Sequence, residues 1–194
     1  MPRTDVEPTR RKALISAAIE AIHVCGMGQV TVGDIARRAG VSSALAHHYF
    51  GGKNDLLLAT MRHLLGSLSE DVQARLATAR TPRERIAATI AGSFSGQFRP
   101  AVVSAWLAFY VQAQTDPEAR RLLRIYTRRL RSNLVHPLRD LTTADRAEAI
   151  AETAAALIDG LWIRCSLSQD EPDPIAATAV VERAVSDALR RTDA

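Results

Sequence analysis

Three times in this sequence a residue with a short oxygen-bearing side chain stands directly before a proline: Thr81-Pro82, Asp116-Pro117 and Asp173-Pro174. Such a pair starts a helix. The side-chain oxygen accepts hydrogen bonds from first-turn amides, and proline sits where no N–H is needed. Arg99-Pro100 breaks another helix. Between these points Ala, Leu and Arg dominate and β-branched alternation is nearly absent, so the segments read as helices. Thr9 is expected to open a first helix whose Leu14, Ala17, Ala18, Ala21 and Ile22 recur at helical spacing, with Gly26 and Gly28 at its end. Thr31 opens a second, Gly40 stops it, and Ser42 caps a third that runs to Tyr49 or Phe50. After Gly51-Gly52 a long helix is expected from Lys53 to Ala79. The expected fold is all-α with about nine helices. Residues 1–53 would form a three-helix helix-turn-helix domain and residues 54–194 a helical ligand-binding and dimerisation domain. No repeat at solenoid period is evident.

Composition excludes several classes. With 47% hydrophobic and 24% charged residues, the chain is not a disordered one. Its longest apolar run, from Ala101 to Val111, is broken by Ser104 and is too short for a bilayer. The N-terminus is charged and lacks an apolar stretch, so a cytoplasmic protein is expected. Two cysteines, Cys25 and Cys165, make neither a disulfide framework nor a metal cluster, and they are expected as two buried, reduced thiols. No nucleophile–base pattern, phosphate loop or metal-ligand spacing is visible, so the chain does not read as an enzyme, and no cofactor or metal is expected. Net charge is +4, of which residues 1–53 contribute +3 from seven Lys/Arg and four Asp/Glu. That excess suits an anionic partner but needs a motif to give it meaning.

The motif lies in TVGDIARRAGVSSALAHHYF, residues 31–50. Thr31 and Asp34 have capping-box spacing. Ile35, Ala36, Ala39, Val41 and Leu45 are small or aliphatic and suit the angle between two short helices. Gly40 can adopt the positive φ that a tight inter-helix turn needs. The second helix would present Ser42, Ser43, Ala44, Ala46, His47, His48 and Tyr49. Hydroxyls and imidazoles reach base edges or phosphates, and small alanines allow close approach. Thr31, Gly33 and Lys53 flank the pair, where amides and a cation would hold phosphates. Phe50 is expected in the core.

This order of Thr-x-x-Asp-Ile-Ala, Ala-Gly-Val-Ser, His-Tyr-Phe, a lysine-bearing turn and a long helix resembles the TetR family of one-component transcriptional repressors. The resemblance implies a homodimer, an N-terminal domain that binds operator DNA, and a C-terminal domain that binds a small effector. SAWLAFY (104–110), RRLRSNLVHPLR (128–139) and ALIDGLWIRCSLS (156–168) are similar to the choline-responsive members that govern glycine-betaine synthesis. Within the recognition helix, Ala44-Leu45-Ala46-His47 departs from that subgroup. The family also holds sensors of lipophilic cations or drugs that control efflux or detoxification genes, and that effector class is the alternative.

Seven of the nine aromatics lie between Phe94 and Trp162. Trp106, Phe109 and Tyr110 are an i, i+3, i+4 set, and Asp159 and Trp162 are i, i+3. A quaternary ammonium has no N–H to donate and is held by ring faces plus a counter-charge. These five residues could form such a cage. The same spacing equally suits a packed core, with Asp159 paired to Arg164 or to an arginine of 120–131. The arginine-rich stretch 120–139 reads as a solvated face with ion pairs to a neighbouring helix. Apolar rows on the last two helices, about 144–168 and 174–191, suit a four-helix dimer interface. The rows are Ala147, Ile150, Ala154, Leu157 and Leu161, and Ile175, Ala179, Val180, Ala184, Val185 and Leu189.

Overall fold

The computed structural model describes residues 6–96, 98–168 and 170–190, which are mostly helical with no strand among them. The helices are α1 (Val6–Cys25), α2 (Val32–Arg38), α3 (Ser43–Phe50), α4 (Lys53–Leu76), α5 (Pro82–Gly92), α6 (Pro100–Gln112), α7 (Pro117–Leu138), α8 (Ala144–Leu167) and α9 (Pro174–Arg190). Side-chain caps stand at the expected starts. Thr81 accepts from the Glu84 amide and Glu84 reaches back to the Thr81 amide. Asp116 Oδ1 accepts from the amides of Glu118 and Ala119, and Asp173 Oδ1 from those of Ile175 and Ala176. Two boundaries differ from expectation. Helix α1 begins at Val6 rather than at Thr9. Pro8 is tolerated there because the first four amides of a helix lack intrahelical acceptors anyway. Helix α4 stops at Leu76, and residues 77–79 tighten into i→i+3 bonds from Thr78 and Ala79.

Packing divides the chain into two compact units. The first comprises residues 6–64 and 100–122, the second 65–99 and 123–190. The division cuts α4 after Leu64 and α7 after Leu122, so neither helix belongs to one unit alone. In the first unit α1 packs against α6 and α2, and α2 against α3. Leu14, Ala18, Ala21 and Ile35 fill its centre with Leu56 and Val102. His23 Nδ1 and Ser104 Oγ, 2.9 Å apart, join α1 to α6.

In the second unit α9 packs against α8 and α5. Ile90, Phe94, Leu134, Leu138, Ile158 and Val181 are its most enclosed side chains. Arg131 and Arg139 both pair with Glu148 of α8, the latter at 3.0 Å, as expected for the arginine-rich stretch. The apolar rows of α8 and α9 serve two ends rather than one. Ala147, Ile150, Ala154 and Val185 are buried within the chain itself, while Ile175, Ala179 and Val180 stay exposed. Long helices offer more than one apolar stripe, and the sequence rows mixed them.

At one crossing the backbones of α4 and α5 come close together. A Cβ placed on Gly92 would lie 2.7 Å from Val72 Cγ2 and 2.9 Å from Val72 Cα. Gly66 on α4, by contrast, faces open space. Gly92→Ala should therefore destabilise the protein by about 1–3 kcal/mol, because a methyl must displace helix backbone. Gly66→Ala should stabilise it by up to about 1 kcal/mol through helix propensity. Urea unfolding of the two variants checks both signs.

Candidate functional site

A seven-residue helix is marginal without tertiary and capping support, and α2 has both. Its Val32, Ile35 and Ala36 are buried. At its start the Thr31 hydroxyl accepts from the Asp34 amide at 3.1 Å and donates to Asp34 Oδ2 at 2.6 Å. The Thr31 amide donates to the same carboxylate oxygen at 3.3 Å, and Asp34 Oδ1 accepts from Arg37 at 2.7 Å. These bonds hold the Asp34 carboxyl below its ordinary pKa, the Thr31 hydroxyl first and Arg37 after it. Gly40 then turns the chain with φ 68°. Ser42 caps α3 by accepting from the Leu45 amide at 3.2 Å.

Helix α3 has one outward face. Ser42, Ser43, Ala44, His47 and His48 are exposed, and Tyr49 is half-buried with its ring 5.7 Å from that of His48. Phe50 is buried, as expected, with the Arg11 guanidinium 5.0 Å above its ring. Ala46 departs from expectation. It is fully buried and belongs to the seam between helices rather than to the presented face. It stands two residues from the exposed Ala44 and two from the exposed His48, about 200° round the helix from each, and so on the opposite side. Thr31 is exposed and Gly33 half-buried at the start of α2. Lys53 Nζ donates to the Gly28 carbonyl at 3.3 Å, tying the start of α4 to the turn after α1.

His47 Nδ1 lies 2.6 Å from the carbonyl oxygen of Gly51. A carbonyl only accepts, so Nδ1 carries the hydrogen and the ring cannot spin freely. Nε2 is therefore an acceptor in the neutral ring and a donor in the cation.

The aromatic residues fall into two groups. Trp106, Phe109 and Tyr110 are on α6 in the first unit, with Trp106 5.7 Å from Phe109 and 5.9 Å from Tyr110 between ring centroids. Trp106 and Phe109 are buried and Tyr110 is half-buried. Asp159 and Trp162 are on α8 in the second unit. There Trp162 donates its indole N–H to the Ser93 carbonyl at 3.2 Å and meets Phe98 edge-on at 4.9 Å. Phe98 in turn meets Phe94 at 5.2 Å, so Trp162 ends a packed aromatic row. Asp159 accepts from the Tyr126 hydroxyl at 3.2 Å.

Tyr126 also borders a cavity of about 540 Å³ wholly within the second unit. Leu65, Gly66, Ser69, Glu70 and Gln73 of α4 line one side, Ile125, Arg129, Leu130 and Asn133 of α7 another, and Thr89 and Ser93 the base. Sequence reading missed this lining. The available signal was that Tyr126 and Asn133 on α7 are i, i+7 beside an apolar Leu130, so a polar pair shares the core-facing stripe. No group of His, Cys, Asp and Glu suited to a metal occurs among the described residues, and no described helix is long and apolar enough to cross a membrane.

Comparison with known proteins places these features. Residues 14–60 match the model of bacterial regulatory proteins of the TetR family, and residues 82–190 that of the BetI-type transcriptional repressor C-terminal region. The chain is 56% identical over 183 residues to the HTH-type transcriptional regulator BetI of Brucella anthropi, covering 94% of each chain. Among solved structures, a transcriptional regulator from Pseudomonas aeruginosa PAO1 is 27% identical with a TM-score of 0.80, over 94% of this chain and 91% of that one. A regulator of Saccharomonospora viridis solved in complex with choline is 23% identical with a TM-score of 0.77, over 91% and 95%.

The capping box makes a pH-dependent contribution whose sign follows from the lowered Asp34 pKa. It is fully present above the ordinary value of 3.8 and is lost as pH falls through the lower folded value. Carbon-detected NMR titration should find the Asp34 carboxyl midpoint below 3.8. Thr31→Val should raise it, since the hydroxyl is the largest cause of the depression.

Proposed function

Since the chain belongs to the TetR family of transcriptional repressors and carries a BetI-type C-terminal region, we propose that it represses choline-to-glycine-betaine genes in the cytoplasm and leaves its operator when choline binds. The observation that carries this reading is the 56% identity, over 94% of both chains, to a regulator named BetI. The choline complex of the Saccharomonospora viridis regulator, at 23% identity, adds only that such a fold can hold that cation.

In this reading α3 enters the major groove. Ser42, Ser43, Ala44, His47 and His48 meet base edges, Tyr49 reaches a phosphate, and Thr31 and Gly33 set the start of α2 against the backbone. Lys53 exchanges its bond to the Gly28 carbonyl for a phosphate. The imidazole of His47, locked by Gly51, offers Nε2 as an oriented acceptor to an adenine or cytosine amine. A homodimer joined through α8 and α9 would cover the exposed Ile163, Leu167, Ile175 and Val180. It would place two recognition helices about 34 Å apart.

Choline cannot donate an N–H, so ring faces and a carboxylate are the chemistry that suits its head. Trp106, Phe109 and Tyr110 in the first unit are one set of residues we assign to such contacts, and Asp159 and Trp162 in the second are another. Release is a population shift. The choline-bound form must favour a conformation that fits the operator less well. A coupling of about 1–3 kcal/mol lowers operator affinity about 5–150-fold.

Calorimetric titration should give saturable binding of choline near one site per chain and none of ethanolamine at equal concentration. Trp106→Ala and Asp159→Asn should each weaken choline binding at least about tenfold while operator binding persists. Loss of the folded dimer in both would assign these residues to the core instead. His47→Ala should cost about 1–3 kcal/mol of operator affinity and relax preference at one base pair. A gel-shift series over single-base operator variants measures this.

A further inference from the structure

The most basic stretch of the chain lies outside the helix-turn-helix. Residues 117–139 hold seven Arg and one acid, Glu118, for a net +6, whereas the whole chain carries +4. Helix α7 turns much of this charge one way. In the second unit Tyr126, Leu130, Leu134 and Leu138 recur every four residues and are buried, which fixes the rotation of the helix. Arg124, Arg128, Arg129 and Arg131 are exposed, with Thr127 exposed between them. Arg131 and Arg139 share the single carboxylate of Glu148, so one positive charge of that group is left over. Arg124, Arg128 and Arg129 have no ion pair or side-chain hydrogen bond among the described residues. Arg124 and Arg128 are i, i+4 and Arg128 and Arg131 i, i+3, so like charges face each other along the stripe at a cost to the helix.

An occupant of this face must bring fixed negative charge and need no apolar contact. Among the described residues, no large apolar side chain of α7 is exposed. A protein partner draws its affinity from buried aromatic and apolar anchors, and a helix enters a lipid surface through an apolar face. Helix α7 has buried its own against the core. The phosphodiester backbone needs neither, because counterion release drives its binding. Arg124 to Arg131 spans about 10.5 Å of helix axis, about the rise of three phosphates on one strand of a duplex. We propose that this stripe is a contact for the backbone of duplex DNA, carried by the second unit and blind to sequence. The guanidinium forks of Arg124, Arg128 and Arg129 meet phosphate oxygens. The stripe adds affinity for any duplex and takes no part in choosing the operator. The inference is independent of whether choline is the effector.

The test is the salt dependence of binding to a labelled duplex of scrambled sequence, followed by fluorescence anisotropy with the full-length protein. Replacing Arg124, Arg128 and Arg129 together by Ala should lower the slope of log affinity against log salt by about two to three per chain, about 0.9 for each phosphate no longer neutralised. Replacing Arg75, Arg80 and Arg83 by Ala removes the same charge from exposed positions of the same unit and should leave the slope unchanged. Lysine at positions 124, 128 and 129 keeps the charge and should restore the slope. The ratio of operator to scrambled affinity should be the same in all variants. Absence of that ratio in the unaltered protein would overturn the repressor reading instead. An equal fall of slope in both alanine triples, or a fall in neither, would overturn the proposal. So would binding to phosphatidylserine vesicles or to polyglutamate that is lost in the α7 triple while its duplex slope stays intact.

Discussion

A helix of seven residues begins with four amides that its own turns cannot satisfy. That shortage governs the DNA-facing end of this molecule. Helix α2 exists because Thr31 and Asp34 satisfy its first turn reciprocally and because Ile35 and Ala36 bury one side. The direction in which α2 ends sets the φ of Gly40, the Ser42 cap sets the phase of α3, and that phase decides which side chains face outward. A single-residue slip at Ser42 would rotate α3 by about 100° and exchange Ala46 for Leu45 at the buried seam. The interface is thus specified more by the caps that flank it than by the residues that form it.

Helix starts were legible because their cause is local. A threonine or aspartate before proline, or a threonine three residues before an acid, can be read in a window of four. The same locality misplaced the start of α1, where Thr9 resembled a cap but Pro8 fitted inside the first turn. It also put Ala46 on the outer face, since an alanine beside an alanine carries no sign of which one is buried. The two units are harder still. They divide α4 and α7 in mid-helix, where no turn residue marks the place.

The effector region shows what lies beyond such windows. Asp159 in an apolar run called for a partner, and an arginine was the obvious candidate. One partner is the Tyr126 hydroxyl, 33 positions earlier, on a residue that also borders the cavity. Trp162 resolves differently. Its indole N–H ends on a backbone carbonyl and its ring on Phe98, and both are properties of close packing. A residue can hold a core together and still lend a ring edge to a guest, so its burial alone does not decide its role.

The crossing of α4 and α5 has a consequence for how this sequence can drift. The obstacle facing a side chain at position 92 includes the Cα of Val72, not only its methyls. Trimming residue 72 cannot make room, because the obstructing atom is present in every amino acid. Position 92 thus has no compensating partner and cannot covary. In diverged descendants it should stay glycine for as long as the two helices cross there, and a lineage that loses it must have moved the helices apart.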